Sequence, residues 1–391
     1  MCEISKNKMI LCALYASIAL SNWSYYILCE LLKLDFYLYE VFFIPIILFN
    51  LNKFTGKIKI SKGYLAVSFL VIVCFFFGMF KYPQYIMSHI TTYRTIFYYV
   101  IIICIFKNTT EINLNLFKWI CFGSVIGDFL YSLTVNSTSD TSAVNLVALA
   151  VLVIIPIIQN KLMETIIFSG LTIVVAFRSS FRISIVLVAA AIMLALLYVV
   201  VVQHNIKVMF IAIILGIIMV IFVLNFESFI NILVEKTGMN SYAAYRVSVR
   251  LKHMIHGNLA GSQDTIRYET FSRVAKEFWN KILPNGVIGK SIGEYGVYKD
   301  SPMIFLYDAL GSAFSWIIVI YLEIKGIIVA KLALFNKEKK YLGFLAIFTI
   351  LFLILLFING TFLLNTYEVC ISAVILGYWL NPNLLRLKTE C

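Results

Sequence analysis

The sequence predicts an all-α polytopic membrane protein with about twelve transmembrane helices and one large outer loop domain between the ninth and the tenth. Three observations predict it. The first is composition: of 391 residues, 61% are hydrophobic and 13% charged, and the mean hydropathy is +0.92. Soluble globular chains lie nearer ~45–50% apolar and ~25% charged, and a soluble core could not enclose this much apolar surface. The second is order: long apolar runs alternate with short polar breaks. The third is the exception to that order. From Phe226 to Pro302 the chain runs for 77 residues without a membrane-length apolar segment, and this stretch holds ten Lys/Arg and seven acids.

The apolar runs cover residues 9–29, 36–51, 64–80, 95–106, 116–134, 143–158, 165–177, 183–202, 206–225, 303–322, 341–358 and 367–380. Each must be helical, because backbone N–H and C=O groups find no partner in lipid. Runs four and seven fall short of the ~20 residues that cross a hydrocarbon core. They have to draw in flanking residues such as Thr91–Arg94 and Met163–Glu164 or else be broken. The organisation is therefore 1–225 with helices one to nine, 226–302 as the outer domain, and 303–391 with helices ten to twelve. The N-terminus has a basic start and an apolar run but no small-residue cleavage site, so an uncleaved first span is expected.

Orientation follows from Lys/Arg placement. With the N-terminus inside, the inner segments carry 17 of the 32 Lys/Arg and the short outer loops only five: Lys33, Lys81, Arg94, Arg178 and Arg182. The other ten lie in 226–302, a segment long enough to be translocated whatever its charge. Both termini are thus expected inside and the 226–302 domain outside. The net charge of +12 is absorbed by this sorting and calls for no nucleic acid. Inner positives are nearly all lysine, which suits lipid head groups. The outer ones include Arg94, Arg178 and Arg182, and arginine presents a planar fork suited to phosphate.

Within the outer domain, Gln263 to Leu283 reads as an amphipathic helix with Ile266, Phe271, Val274, Phe278 and Ile282 on one face. Arg267, Arg273, Lys276 and Lys281 occupy its polar part, as in helices that lie on a membrane surface. A second helix is expected over Tyr242–Ile255, with Arg246 and Arg250 four apart.

Several residues are candidates for chemistry, each beside a plainer role. Arg178 and Arg182, in RSSFR, lie four apart and would share a helix face, as two forks for phosphate or as interface arginines reaching for water. Arg94, at the outer end of run four, could join them. Arg267 is either a diphosphate ligand or a solvated helix charge. Asp300, just before run ten, is either a general base at the mouth of a cavity or an N-cap near Pro302. Asp308, Asp128 and Glu40 lie within or near apolar runs, where an isolated charge is costly and so suggests a role. Asp308 could instead pair with an outer arginine. Arg250 and Asp308 stand as secondary candidates.

What is missing narrows the class. There is no P-loop, nucleotide-type glycine motif, HExxH or nucleophile elbow. The eight cysteines form no CxxC and no Cys/His cluster, so no metal site and no cofactor are expected, and buried cysteines should act as small apolar residues.

Twelve helices with one large outer loop late in the chain resemble the O-antigen polymerase and ligase superfamily of Gram-negative inner membranes. Three segments carry the likeness: VVAFRSSFRISIVLVAA, a helix that ends in a polar Arg-bearing turn and re-enters; IRYETFSRVAKEFWNKILPNGVIGK, an arginine, an amphipathic helix and a Gly-rich turn; and YKDSPMIFLYDALGSAFSWIIVIYL, where a polar His or Asp is followed eleven positions on by Gly, here Asp300 and Gly311. The ligase branch usually has His-Asn where this chain has Asp300-Ser301, which favours the polymerase branch. The resemblance implies a metal-independent glycosyltransferase that joins glycan repeat units carried on undecaprenyl diphosphate at the periplasmic face. It implies Arg178, Arg182, Arg267 and Arg94 around the diphosphate and Asp300 as base. Membrane lipid and a chain-length regulator are its expected partners. The ligase branch and a lipid-linked oligosaccharide flippase or other transporter are the alternatives.

Overall fold

The computed structural model describes residues 62–81, 83–107, 113–134, 145–178, 182–205, 302–358 and 366–381, with four isolated positions besides. Among these residues every regular element is a helix. In chain order they are α1 (Lys62–Lys81), α2 (Ile86–Phe106), α3 (Leu114–Thr134), α4 (Leu146–Ile158), α5 (Leu162–Arg178), α6 (Arg182–Val201), α7 (Pro302–Phe335), α8 (Lys340–Ile358) and α9 (Thr366–Trp379), with a short 3-10 turn at Pro83–Tyr85 before α2. Among the described residues, two helical segments are long and apolar enough to cross a membrane, Lys62–Lys81 with 20 residues and Ser184–Val201 with 18. The expected runs 9–29, 36–51 and 206–225 and the domain 226–302 lie outside the described residues.

Helix α4 is the hub. All 13 of its residues are buried, and it meets α3, α5, α6, α8 and α9. Its sequence, LVALAVLVIIPII, has no polar face, as a helix surrounded on all sides must not. Thirteen residues reach only ~20 Å, short of the ~30 Å core that run 143–158 was expected to cross. The start explains the shortfall. Asn145 caps the helix, its side-chain oxygen accepting from the Ala148 N–H at 2.9 Å, while the Asp128 carboxylate accepts from the Asn145 N–H at 2.9 Å. The other end closes in a Schellman turn: Asn160 takes φ 60, its N–H reaches Ile157 O, and the Lys161 N–H reaches Pro156 O.

Asp128 is 4% exposed, so the Asp128–Asn145 bond is a charge-assisted one away from water. This gives the buried acid a structural occupation. Asp128→Ala should strand the Asn145 N–H and lower the unfolding free energy by about 1–3 kcal/mol, with Asp128→Asn costing less because an acceptor remains. Thermal unfolding in detergent measures both, and a melting point for Asp128→Ala equal to that of the parent would refute the assignment.

The remaining helices pack around this hub, chiefly α7 on α8, α9 on α2, and α6 on α4 and α8. Their outward faces are apolar: Phe69, Phe80, Met163, Ile166, Ile317 and Ile327 are all more than half exposed. Cys74 and Cys121 are fully buried among apolar side chains, as expected. Run ten differs from expectation. Helix α7 does not stop at 322 but continues through Glu323 and Lys325 to Phe335, and it is interrupted at Gly311, where φ is 79 and ψ is 165.

Candidate functional site

The bundle has two chemically distinct ends. At one end, helix termini are tied together through lysine and amide groups. Lys118 pairs with Glu164, which also meets Lys161 at 3.2 Å. Lys340 donates to Gln159 O at 3.3 Å, Asn160 to Gln203 at 2.8 Å, and Gln203 to Ile158 O at 3.1 Å. Lys107 lies there as well, its ammonium 5.1 Å from the centre of the Tyr64 ring. The opposite end holds the last residue of α1, the start of α2, the Asp128–Asn145 node, and Arg178 and Arg182. Antiparallel packing of successive helices produces this sorting.

The ion pair at the lysine end was not anticipated as a unit. Lys118 is 1% exposed, and its ammonium lies over the rings of Trp119 and Phe168 at 5.3 and 5.6 Å. The sequence signal was faint, since Lys118 and Glu164 are 46 positions apart. The two partners are not equivalent. Glu164→Gln leaves a buried ammonium without its carboxylate, a loss in the ~3–5 kcal/mol class. Lys118→Met leaves Glu164 about one-third exposed and still bridged to Lys161, at a cost nearer ~1 kcal/mol. Melting curves of the two variants should therefore separate clearly, and equal losses would show that Lys118 is not effectively buried.

The arginine end holds three of the predicted site residues. Arg178 is the last residue of α5 and Arg182 the first of α6. They do not share a helix face, which corrects the i, i+4 expectation: one ends a helix and the other begins the next. The two helix ends are tied by Ser184, whose buried hydroxyl donates to Ala176 O at 3.1 Å. Their placement is unequal. A cation at a helix C-terminus, as at Arg178, gains from the helix dipole, whereas one at an N-terminus, as at Arg182, is opposed by it by ~0.3–1 kcal/mol. The side chains of both lie outside the described part, as does that of Asp308, whose backbone is in the first segment of α7.

Arg94 is half-buried in α2. Its neighbours Tyr93 and Phe97 form a small core with Val71, Cys74 and Phe75 of α1 and with Phe314 and Ile318 of α7. Arg94 therefore lies at the level of the Gly311 break. The backbone there is in a region that is essentially glycine-only. Ser315, fully buried, donates its hydroxyl to Gly311 O at 2.7 Å, and Ser312 is fully buried beside it. Arg94 and the Arg178–Arg182 turn share an end of the bundle, but α2 has no substantial contact with α5 or α6 among the described residues. Arg267, Arg250 and Asp300 lie outside the described residues.

Among the described residues, no group of three His, Cys, Asp or Glu side chains converges as a metal site. Comparison of the chain with protein families, with curated proteins and with solved structures finds no match.

Proposed function

We propose that this chain is an O-antigen polymerase: a twelve-span bacterial inner-membrane glycosyltransferase with cytoplasmic termini and a periplasmic active face. The observation that carries the reading is the sorting of charge along the bundle. Arg94, Arg178, Arg182 and the start of α7 lie at one end, with Lys81, and Lys107, Lys118, Lys161 and Lys340 at the other. Lysine-rich inner ends and an arginine-bearing outer end fit a lipid-facing bundle that handles phosphate outside. The apolar exterior fits the same setting, because each large side chain left in water forgoes ~1.5–3 kcal/mol. Helix α7 begins at Pro302 at the arginine end, and Asp300 precedes it by two positions in the sequence.

In this reading the donor is a glycan on undecaprenyl diphosphate and the acceptor a repeat unit on the same carrier. The acceptor hydroxyl oxygen bonds to the anomeric carbon of the donor, and the bond from that carbon to the diphosphate oxygen breaks. Asp300 takes the hydroxyl proton. Negative charge grows on the departing diphosphate, and fixed guanidinium groups at Arg178, Arg182 and Arg267 stabilise it more than they do the ground state. The break at Gly311 allows the first segment of α7, which carries Asp308, to follow a direction different from the rest of the helix.

A deletion strain complemented by the chain tests the reading. A polymerase restores long polysaccharide to cells that otherwise make a single repeat unit on lipopolysaccharide. Loss of all repeat units in the deletion strain would instead point to a ligase or a flippase and overturn the proposal.

A further inference from the structure

The buried acid Asp128 lies beneath the arginine end. It is carried by α3, which packs chiefly on α4 and α5 among the described residues. Helix α4 has no charged residue. Helix α5 has two, Glu164 near its start and Arg178 at its end. Glu164 is engaged with Lys118 at the lysine end. The cation that these two helices offer to Asp128 is therefore Arg178. Arg182 opens α6, which packs on α4, α5 and α8.

The Lys118–Glu164 pair also sets the register of α3 on α5, and the two helices run in the same direction. At ~1.5 Å per residue, Asp128 stands ~15 Å above Lys118 and Arg178 ~21 Å above Glu164. The difference is about one helical turn. The α5 positions facing α3 are Glu164 and Phe168, whose ring lies 5.9 Å from that of Trp119 and 5.6 Å from that of Phe122. A helix returns nearly to the same face every seven residues, so Arg178, two such repeats after Glu164, belongs to the same face.

The carboxylate is held in place from the other side. Asp128 accepts from the Asn145 N–H at the start of α4, where the helix dipole favours an anion. A charge fixed away from water attracts an opposite charge more strongly than one at a surface does. An arginine has five N–H donors in a rigid fork, so those turned to a carboxylate leave others for a phosphate.

We propose that Asp128 is a positioning residue for Arg178, its carboxylate holding the guanidinium from one turn below. The pairing rests on the packing and register of α3 and α5. Its consequence, a donor already in place for the departing diphosphate, rests on the transferase reading.

Two measurements test it. The first is a melting cycle on the purified full chain in detergent, with Asp128→Asn, Arg178→Gln and the double variant. Asp128→Asn keeps an acceptor for the Asn145 N–H and removes the charge. Paired residues are not additive, so the double variant should melt no lower than the less stable single variant. Strictly additive losses would overturn the proposal. Glu164→Gln combined with Arg178→Gln is the control and should be additive, and equal coupling there would overturn it too. The second measurement is chain extension in the complemented deletion strain. Asp128→Asn should lower it on the order of tenfold at an unchanged protein level, and the double variant should be no worse than Arg178→Gln alone. Full extension in Asp128→Asn would show that Asp128 positions nothing. If Asp128→Asn does not purify as a single species, Arg178→Lys decides: dicyclohexylcarbodiimide should join its amine to the Asp128 carboxylate, read as a linked peptide pair by mass spectrometry, and absence of that link refutes the pairing. Failure of the transferase reading would appear separately, as normal polysaccharide in the deletion strain, and the melting cycle would still decide the pairing.

Discussion

Under the proposed polymerase activity, cells whose only copy carries Arg182→Ala should make lipopolysaccharide with single repeat units, and so should cells with Arg178→Ala or Arg267→Ala. Removing one fixed donor to a developing oxyanion slows a step by ~10²–10³. Polymerisation repeats that step for every unit added, so even the smaller figure empties the upper ladder. The structure separates the two arginines of the turn by a second readout. Arg182 opposes the dipole at the start of α6, so Arg182→Ala should leave the melting point unchanged or slightly raised. Arg178 sits at the favourable end of α5, and its loss should lower stability by a few tenths of a kcal/mol up to about 1 kcal/mol. Normal ladders in the Arg182 and Arg267 variants would sink the arginine site. Short ladders together with a collapsed melting point would mean a merely structural role.

Gly311→Ala should have the second-largest effect, and for a different reason. At φ 79 and ψ 165 an L side chain meets its own backbone, and holding it there costs ~1–3 kcal/mol. The strain could be relieved only by straightening α7 at this point, which would change the direction of its first segment, the one that carries Asp308. Chain extension should then fall at least tenfold, with protein still present in the membrane. Full activity in Gly311→Ala would show that the break does not position the site. Ser315→Ala, which removes only the hydroxyl bonded to Gly311 O, should show a smaller loss of the same kind.

Much of the fold was legible from apolar runs. Expected runs 64–80, 183–202, 341–358 and 367–380 lie within two residues of α1, α6, α8 and α9. Lysines, glycines and prolines punctuate these stretches sharply. The two short runs were lengthened as anticipated, α2 drawing in Thr91–Arg94 and α5 drawing in Met163 and Glu164. Three features were not legible. The late start of α4 depends on a bond between Asp128 and Asn145, 17 positions apart, and no local pattern announces it. The extension of α7 passes Glu323 and Lys325, where counting apolar residues stops although the helix does not. Arg178 and Arg182 were expected both in a polar break between apolar runs and on one helix face; the break is where the helices end and start, and the shared face is not kept. Of the site itself, sequence alone proposed Arg94, Arg178 and Arg182, and the structure places them at one end of the bundle. It could not foresee that Gly311 would be a break.

The burial of α4 has a consequence for how the chain is made. A helix of 13 residues is a poor candidate for independent insertion, and the walls that cover it include α8 and α9, translated nearly 200 positions later. Until those arrive, the hub has open sides and the Asp128–Asn145 node is reachable by water. Assembly of the centre should thus await α8 and α9. Chains truncated before residue 340 should be unfinished at their middle as well as shorter at their end, and should be removed by membrane proteases.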